Sequence, residues 1–135
     1  MTHASAKSLD HTTDAEDLAA KMLAEVLRLP ELIESFARKY REIMTRMQEL
    51  KRAGLIYAKP HYRQGKYLYL IYPMKDGERR REYIGADPEK IKSALQAIDR
   101  VREYEALSSK LARTEGCLSQ GQRELSQLIR TLSVK

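Results

Sequence analysis

The chain has few of the residues on which most catalytic and metal sites depend. Only one of its 135 residues is cysteine, Cys117, and only three are histidine, and these four share no spacing typical of a zinc site. A single cysteine cannot close an internal disulfide, which fits a reducing, cytoplasmic location. The sequence also lacks a glycine-rich phosphate loop, a Ser-His-Asp order and paired carboxylates. We therefore expect no enzymatic activity, no metal and no other cofactor.

Long apolar runs are absent as well. No segment approaches the roughly 18 consecutive apolar residues of a transmembrane helix, and residues 1–13 lack the apolar core of a signal peptide. The net charge of +6 is compatible with a nucleic acid, an anionic membrane surface or an acidic protein as partner. The basic excess does not lie on an amphipathic helix, so we expect no membrane partner.

That positive charge is concentrated in one segment. Residues 51–85 contain nine basic and three acidic residues, whereas the two flanks together contain sixteen of each. Six of the eight tyrosines also lie in this segment. Basic groups can contact phosphates and aromatic rings can stack on bases, so this combination indicates a nucleic-acid surface.

The N-terminal flank has the pattern of one long helix. Residues 1–13 form a polar, aperiodic stretch that we predict to be a disordered tail. Thr13 and Glu16 fit a capping box, and the helix is predicted over 14–54, with Gly54 as its C-terminal stop. Pro30 predicts a kink or a break. Apolar residues alternate at spacings of four and three, as in a heptad seam: Met22, Val26, Leu29, Ile33, Phe36, Tyr40, Ile43, Met47 and Leu50.

The central segment, 55–85, is predicted to be a tyrosine-rich β-hairpin element. Leu55 to Pro60 is a candidate first strand, His61 to Gly65 a basic exposed loop, and Lys66 to Tyr72 the clearest strand. Asp76-Gly77 is a strong two-residue turn signal, and Arg79 to Ile84 is predicted to be the returning strand of the hairpin.

A two-residue turn at Asp76-Gly77 predicts the register of this hairpin, with Leu70 opposite Tyr83. One face of the sheet would then carry Leu68, Leu70, Tyr72, Arg81 and Tyr83, and the other Tyr67, Tyr69, Ile71, Arg80, Glu82 and Ile84. Both faces are partly apolar, so the pattern does not tell which one packs on a helix.

The C-terminal flank, 86–135, is predicted to be a second helix. Asp87 suits the N-cap and Pro88 the first helical position, while Gly116 marks a possible break. The expected fold class is α+β, mostly α: a long antiparallel, coiled-coil-like helical hairpin with a small two- or three-stranded antiparallel sheet between the helices. The apolar stripes also predict a homodimer through the helical seams, formed by the parts beyond Pro30 and beyond Gly116.

Eight residues of the central segment are candidates for nucleic-acid binding. Three consecutive arginines would project to both sides of a strand and grip phosphates, and a β-ribbon fits the major groove of DNA. The alternative is that the tyrosines pack in the core and the arginines only keep an edge strand soluble. We expect Arg63, Lys66 and Lys75 to lie near the same end of the sheet as the three arginines. The eight candidates are Arg63, Lys66, Tyr69, Tyr72, Lys75, Arg79, Arg80 and Arg81.

The hairpin resembles the arm-type, AP2-like DNA-binding module of tyrosine recombinases, and also short tyrosine-rich hairpin proteins of prokaryotic mobile elements. The resemblance covers about a third of the chain, from Leu55 to Arg102. These 135 residues contain no recombinase catalytic domain, so we do not expect recombination activity from them. The resemblance implies that the sheet contacts DNA. The residues that would make this contact are Lys66, Arg79, Arg80 and Arg81. The matching residues are Tyr67, Tyr69, Asp76-Gly77, Arg79 to Arg81, Tyr83-Ile84-Gly85 and the helix from Pro88.

The sequence thus predicts a non-enzymatic DNA-binding accessory or regulatory protein, with duplex DNA the favoured target. Two other functions use the same residue types. One is a coiled-coil scaffolding protein whose basic sheet binds an acidic protein partner, and the other is an RNA-binding module.

Overall fold

A computed structural model of the protein describes residues 2–134, with side chains described from Asp14 to Val134. Two long helices flank three short strands, so the α+β, mostly helical fold class is confirmed. In chain order the elements are α1 (Thr2–Ala53), β1 (Lys59–Arg63), β2 (Tyr67–Ile71), β3 (Arg81–Gly85) and α2 (Pro88–Leu132).

The predicted signals mark the inner ends of both helices. Gly54 follows α1 with a φ of 110°, and its N–H donates to the carbonyls of Leu50 and Lys51, which stops the helix. The carboxylate of Asp87 accepts a hydrogen bond from the N–H of Glu89 at 3.3 Å and caps α2, with Pro88 in the first turn.

Both helices are unbroken along their length. α1 continues through Pro30 without a break, so a kink stays the prediction there, and α2 continues through Gly116, so the possible break at that residue does not occur. The backbone of α1 is helical from Thr2. The predicted tail at 1–13 and the capping role of Thr13 fall on residues whose side chains lie outside those described.

The chain divides into two compact units, residues 1–39 and residues 40–135. Within the second unit the two helices run antiparallel: contacts made further along α1 have partners that lie earlier along α2. Tyr40 donates to Glu115 at 2.7 Å, and Arg46 forms a two-pronged ion pair with Glu103 at 2.7 and 3.0 Å. The predicted antiparallel helical hairpin is therefore confirmed.

A side chain of α2 also ties together the end of α1. The guanidinium of Arg100 donates to the carbonyl of Gly54 at 2.7 Å and to that of Ala53 at 3.0 Å. These carbonyls lack helical partners, so Arg100 satisfies acceptors that the helix leaves free.

The three strands form one antiparallel sheet in the order β1-β2-β3, and one face of this sheet packs on α2. Leu68 and Leu70 of β2 are fully buried there against Ala94. Further apolar residues complete the cluster: Ile56, Ala58, Tyr72, Ile84, Ile91 and Ile98. The core thus uses one face of β2, and the side chains of its opposite face are not part of this cluster.

The predicted register of the hairpin is wrong by one residue. Asp76-Gly77 does form the two-residue turn, with φ values of 53° and 79° and a bridge between Lys75 and Glu78. Tyr69, however, pairs with Tyr83, and Ile71 pairs with Arg81.

An irregular step at Pro73 causes this shift. The backbone N–H of Tyr72 donates to the carbonyl of Arg80, and Lys75 pairs with Glu78. Between these two pairs, Pro73 and Met74 on one strand lie opposite the single residue Arg79 on the other. Proline has no N–H to donate, and a bulge is the usual place for it in a ladder. The odd shift moves Arg81 and Tyr83 onto the face of Tyr69 and moves Glu82 to the face of Leu70.

The first strand also lies further along the chain than predicted. β1 covers Lys59–Arg63, which includes most of the predicted loop, while residues 55–58 lead from α1 to the sheet. The N–H of Ile56 donates to the carbonyl of Ala97 on α2 at 3.2 Å, and Ile56 and Ala58 pack in the core. Their apolar character serves contact with α2 rather than strand pairing. Pro60 does lie on an edge strand, as predicted.

Candidate nucleic-acid interface

The face of the sheet turned away from α2 carries eight side chains, which we call the open face. Because residues paired across strands project to the same side, the register assigns its members directly. They are Lys59, His61 and Arg63 of β1, Tyr67, Tyr69 and Ile71 of β2, and Arg81 and Tyr83 of β3. None of the eight is acidic.

A row of rings crosses the middle of the open face. His61 pairs with Tyr69, and Tyr69 pairs with Tyr83. The rings of Tyr69 and Tyr83 lie 5.0 Å apart between centroids and are tilted by 52°, an arrangement favourable for aromatic pairs. Tyr83 is 57 % exposed, so the row offers flat apolar surface to a ligand.

Cationic side chains lie on both sides of this row, in the neighbouring rows along the strands. Lys59 and Arg81 flank Ile71 in one row, and Arg63 pairs with Tyr67 in the other. Lys66, in the turn between β1 and β2, places its ammonium 5.3 Å from the centre of the Tyr67 ring. The two cationic rows are four residues apart along β2, or about 13 Å.

Glu82, the acid between Arg81 and Tyr83 in β3, lies on the opposite side of the sheet. Glu82 pairs with Leu70 and accepts a hydrogen bond from the Tyr72 hydroxyl at 2.9 Å. Burial, together with the bond to Glu82, raises the pKa of Tyr72 above its usual value. The guanidinium of Arg80 stacks on the Tyr72 ring at 4.1 Å from the ring centre. Glu82 thus interacts within the protein and leaves the open face free of negative charge.

The structure separates the eight predicted site residues into three groups. Arg63, Tyr69 and Arg81 lie on the open face, and Lys66 lies beside it. Tyr72 and Arg80 pack together toward the helix side instead. Lys75 and Arg79 lie at or beside the tip of the β2–β3 hairpin.

One expectation about these residues is wrong, and another is confirmed. Arg63 and Lys66 lie at the opposite end of β2 from Lys75 and the three arginines, rather than near the same end. The three consecutive arginines do project to both sides of the strand, because Arg80 lies over the Tyr72 ring on one side and Arg81 lies on the open face with Tyr69.

A shallow cleft of about 490 Å³ lies beside the open face near the hairpin tip. Lys59 and Ile71 belong to both surfaces, and Arg79 adds a second cation to the cleft wall. The complete lining is Tyr57, Ala58, Lys59, Ile71, Tyr72, Pro73, Met74 and Arg79.

Sequence reasoning missed Lys59 and His61 as members of this surface. Lys59, His61 and Arg63 alternate, and alternation is the signal of one strand face. Pro60 concealed it by suggesting a strand end, whereas a proline fits an edge strand whose N–H groups need no partner.

The comparisons leave the surface to be interpreted from its own chemistry. No family model, curated protein or solved structure matches the chain. Among the described side chains, those of residues 14–134, no group of three or more His, Cys, Asp or Glu residues is placed to hold a metal ion. Within the same range, neither helix is long and apolar enough to cross a membrane.

Proposed function

We propose that this protein is a non-enzymatic DNA-binding accessory or regulatory protein, and that the open face is its DNA contact surface. The observation that carries the proposal is the composition of this face. It places three tyrosines, a histidine and three cations together without an acid, on the side of the sheet that the core does not use.

The dimensions of the sheet support duplex DNA as the target. Three strands spaced about 4.8 Å apart span about 10 Å between the outer strands. The major groove of B-form DNA is about 12 Å wide and admits β-strands, whose arginines can bind guanine edges or phosphates. The groove of duplex RNA that corresponds to it is too narrow for side chains to enter.

The two alternative functions make different demands on the same surface. Single-stranded RNA or DNA would stack its bases on the row of His61, Tyr69 and Tyr83. An acidic protein partner would use the cations and would not need the rings. The ring pair at 5.0 Å, in which Tyr83 is exposed and Tyr69 is half-buried, favours a nucleic acid over an acidic protein.

We further propose that two copies act together through their helices, as the heptad seams predict. Large apolar side chains that remain exposed on both helices support this, including Leu27 at 80 % and Ile129 at 58 %. A dimer would present two open faces and double the number of phosphate contacts.

The test is a titration of the purified protein with fluorescent duplex DNA, single-stranded DNA and duplex RNA over a salt series. Six cations lie on the open face or at its two ends: Lys59, Arg63, Lys66, Lys75, Arg79 and Arg81. If all six contact phosphates, log K for duplex DNA falls against log salt with a slope of about −5 per protomer.

A pair of variants makes the test specific to the open face. Arg63→Ala combined with Arg81→Ala should reduce the slope by about 2 and weaken binding to every sequence. The matched control is Arg102→Ala, which removes a cation from an exposed position on α2 and should leave the slope unchanged.

Three outcomes would overturn the proposal in different ways. Equal losses from the control and from the open-face variant would indicate non-specific charge attraction. A preference for single strands would favour the stacking function. The absence of binding at low salt would exclude a nucleic-acid function and leave the acidic protein partner.

A further inference from the structure

The cleft of about 490 Å³ continues the open face toward the hairpin tip. Lys59 and Ile71, which pair across β1 and β2, belong to both surfaces. Tyr57 precedes Lys59 by two residues, and Arg79 precedes Arg81 by two residues. This is the spacing of side chains on one side of an extended chain. A ligand on the open face can therefore extend into the cleft.

The charge of the cleft selects an anion. Lys59 and Arg79 give its lining a charge of +2, and none of the described residues that line it is acidic. Asp76 and Glu78 lie at the turn of the hairpin and are not part of the lining. Opposite charges therefore attract a phosphate to the cleft without a carboxylate inside it to repel one.

The rest of the wall is apolar and partly exposed. Tyr57 is 46 % exposed and Met74 is 62 % exposed, with Pro73 beside them. The hydroxyl of Tyr72 is already used, because it donates to Glu82 at 2.9 Å. These side chains offer an aromatic face and few free hydrogen-bonding groups. They suit the flat surface of a nucleobase, which any base presents, rather than its edges.

The size of the cleft suits a single small ligand. Its volume of about 490 Å³ falls within the usual range for small-molecule pockets, roughly 300–1,000 Å³. A nucleotide combines the two features that the cleft receives, a flat ring and an anionic phosphate. A base inside a duplex cannot enter, because it is paired and stacked on its neighbours. An unpaired base carries no such restriction.

We propose that the cleft holds one unpaired nucleotide where a single strand leaves the duplex on the open face. Its base stacks against Tyr57 and Met74, and its phosphate binds Lys59 and Arg79. The preferred target is then a junction of duplex and single-stranded DNA. The unpaired base is accepted whatever its identity, because the wall has few groups that read base edges. This inference rests on the proposed function and specifies its target.

The experiment measures the affinity of the full-length protein for four fluorescent DNAs that share one duplex sequence. The first is blunt-ended, the second carries one unpaired 3′ nucleotide, and the third carries one unpaired 5′ nucleotide. The fourth is longer by one base pair and so controls for the added charge. One of the two overhang duplexes should bind at least about fivefold more tightly than the fourth, the lower end of what one stacked base contributes.

Variants of two tyrosines assign this preference to the cleft. Tyr57→Ala should bring the ratio of the two affinities to about one, whereas Tyr57→Phe keeps the ring and should keep the preference. Tyr62→Ala is the matched control, since Tyr62 is 43 % exposed but pairs with Leu68 and lies on the other side of the sheet. Its preference should be unchanged. Circular dichroism confirms that each variant is folded.

A fluorescent base in the overhang detects the stacking directly. 2-Aminopurine loses fluorescence when it stacks on an aromatic ring. At the unpaired position its fluorescence should fall when the wild-type protein binds and should stay high with Tyr57→Ala. Replacing the unpaired base by each of the other bases should change the affinity less than removing the overhang does.

Each contrary result has one meaning. Equal binding of the overhang duplexes and the lengthened duplex overturns the inference and leaves the proposed function intact. A preference that survives Tyr57→Ala, or that is lost with Tyr62→Ala, overturns the cleft as the site. Equal affinity for the overhanging strand without its complement overturns the junction as the target. The absence of binding to any DNA at low salt overturns the inference together with the proposed function.

Discussion

Replacing Leu70 by alanine tests the packing that leaves the open face free. Leu70 lies in the central strand, is fully buried, and packs with Leu68 against Ala94 of α2. The substitution removes three carbon atoms, which costs about 2.4 kcal/mol of transfer free energy at ~0.8 kcal/mol for each carbon. The cavity left behind adds to this cost, because a strand paired on both sides and a long helix cannot easily close around it. We therefore expect a loss of about 3–4 kcal/mol, within the usual range for a buried leucine.

The assay is urea unfolding followed by far-UV circular dichroism at one fixed protein concentration, because self-association would change the apparent stability. The midpoint should fall while the dependence on urea stays the same. Leu132→Ala is the control, since Leu132 is 64 % exposed and its truncation should change stability by less than about 0.5 kcal/mol. A loss below about 1 kcal/mol for Leu70→Ala, with unchanged urea dependence, would refute the assignment of faces.

Three further predictions concern the hairpin tip and the helix contacts. Gly77→Ala should cost about 1–2 kcal/mol in urea unfolding, because Gly77 has a φ of 79° and an added Cβ would meet no atom within 4 Å, so only backbone strain acts. Arg100→Ala should cost about 1–3 kcal/mol in the same assay, because it leaves two carbonyls at the end of α1 without their donor. Hydrogen bonds from Arg46 lower the pKa of Glu103, so the pair stabilises the fold above the ordinary carboxyl pKa and loses this contribution as the pH falls. Arg46→Met should return the pKa of Glu103 toward 4.5 in an NMR titration, and an unchanged titration would contradict the ion pair.

Local signals allowed much of the fold to be predicted. Gly54, the Asp87-Pro88 pair and the Asp76-Gly77 turn each act on their own backbone, so their effect can be read without knowing what packs around them. The helical hairpin followed from these ends and from the heptad spacing.

The open face could not be derived in this way, since it depends on a pairing between distant residues. A single bulge at Pro73 shifts the register, and this shift reassigns Arg81, Glu82 and Tyr83 to the opposite faces. Proline at this point was a visible signal for an interrupted ladder. A second irregularity follows, since Tyr69 pairs with Tyr83 but Leu68 pairs with Gly85. Ile84 is left between them without a partner on β2 and packs toward the core.

The candidate site was therefore predicted only in part. The concentration of charge and tyrosine pointed to the element that carries the open face. The choice of face depended on which side chains α2 covers, and Leu68 and Leu70 decide that through burial rather than through any motif. The engagement of Arg80 with Tyr72 is likewise a tertiary contact that three consecutive arginines do not reveal.

The single cysteine provides a natural position for a probe. Cys117 is exposed on α2, 29 residues beyond the first residue of that helix, which corresponds to about 43 Å at 1.5 Å per residue. A dye attached there lies far from the sheet, so a ligand on the open face would leave its environment unchanged. In a complex with labelled DNA, energy transfer from this one thiol would report how far along α2 the nucleic acid extends, without any engineered cysteine.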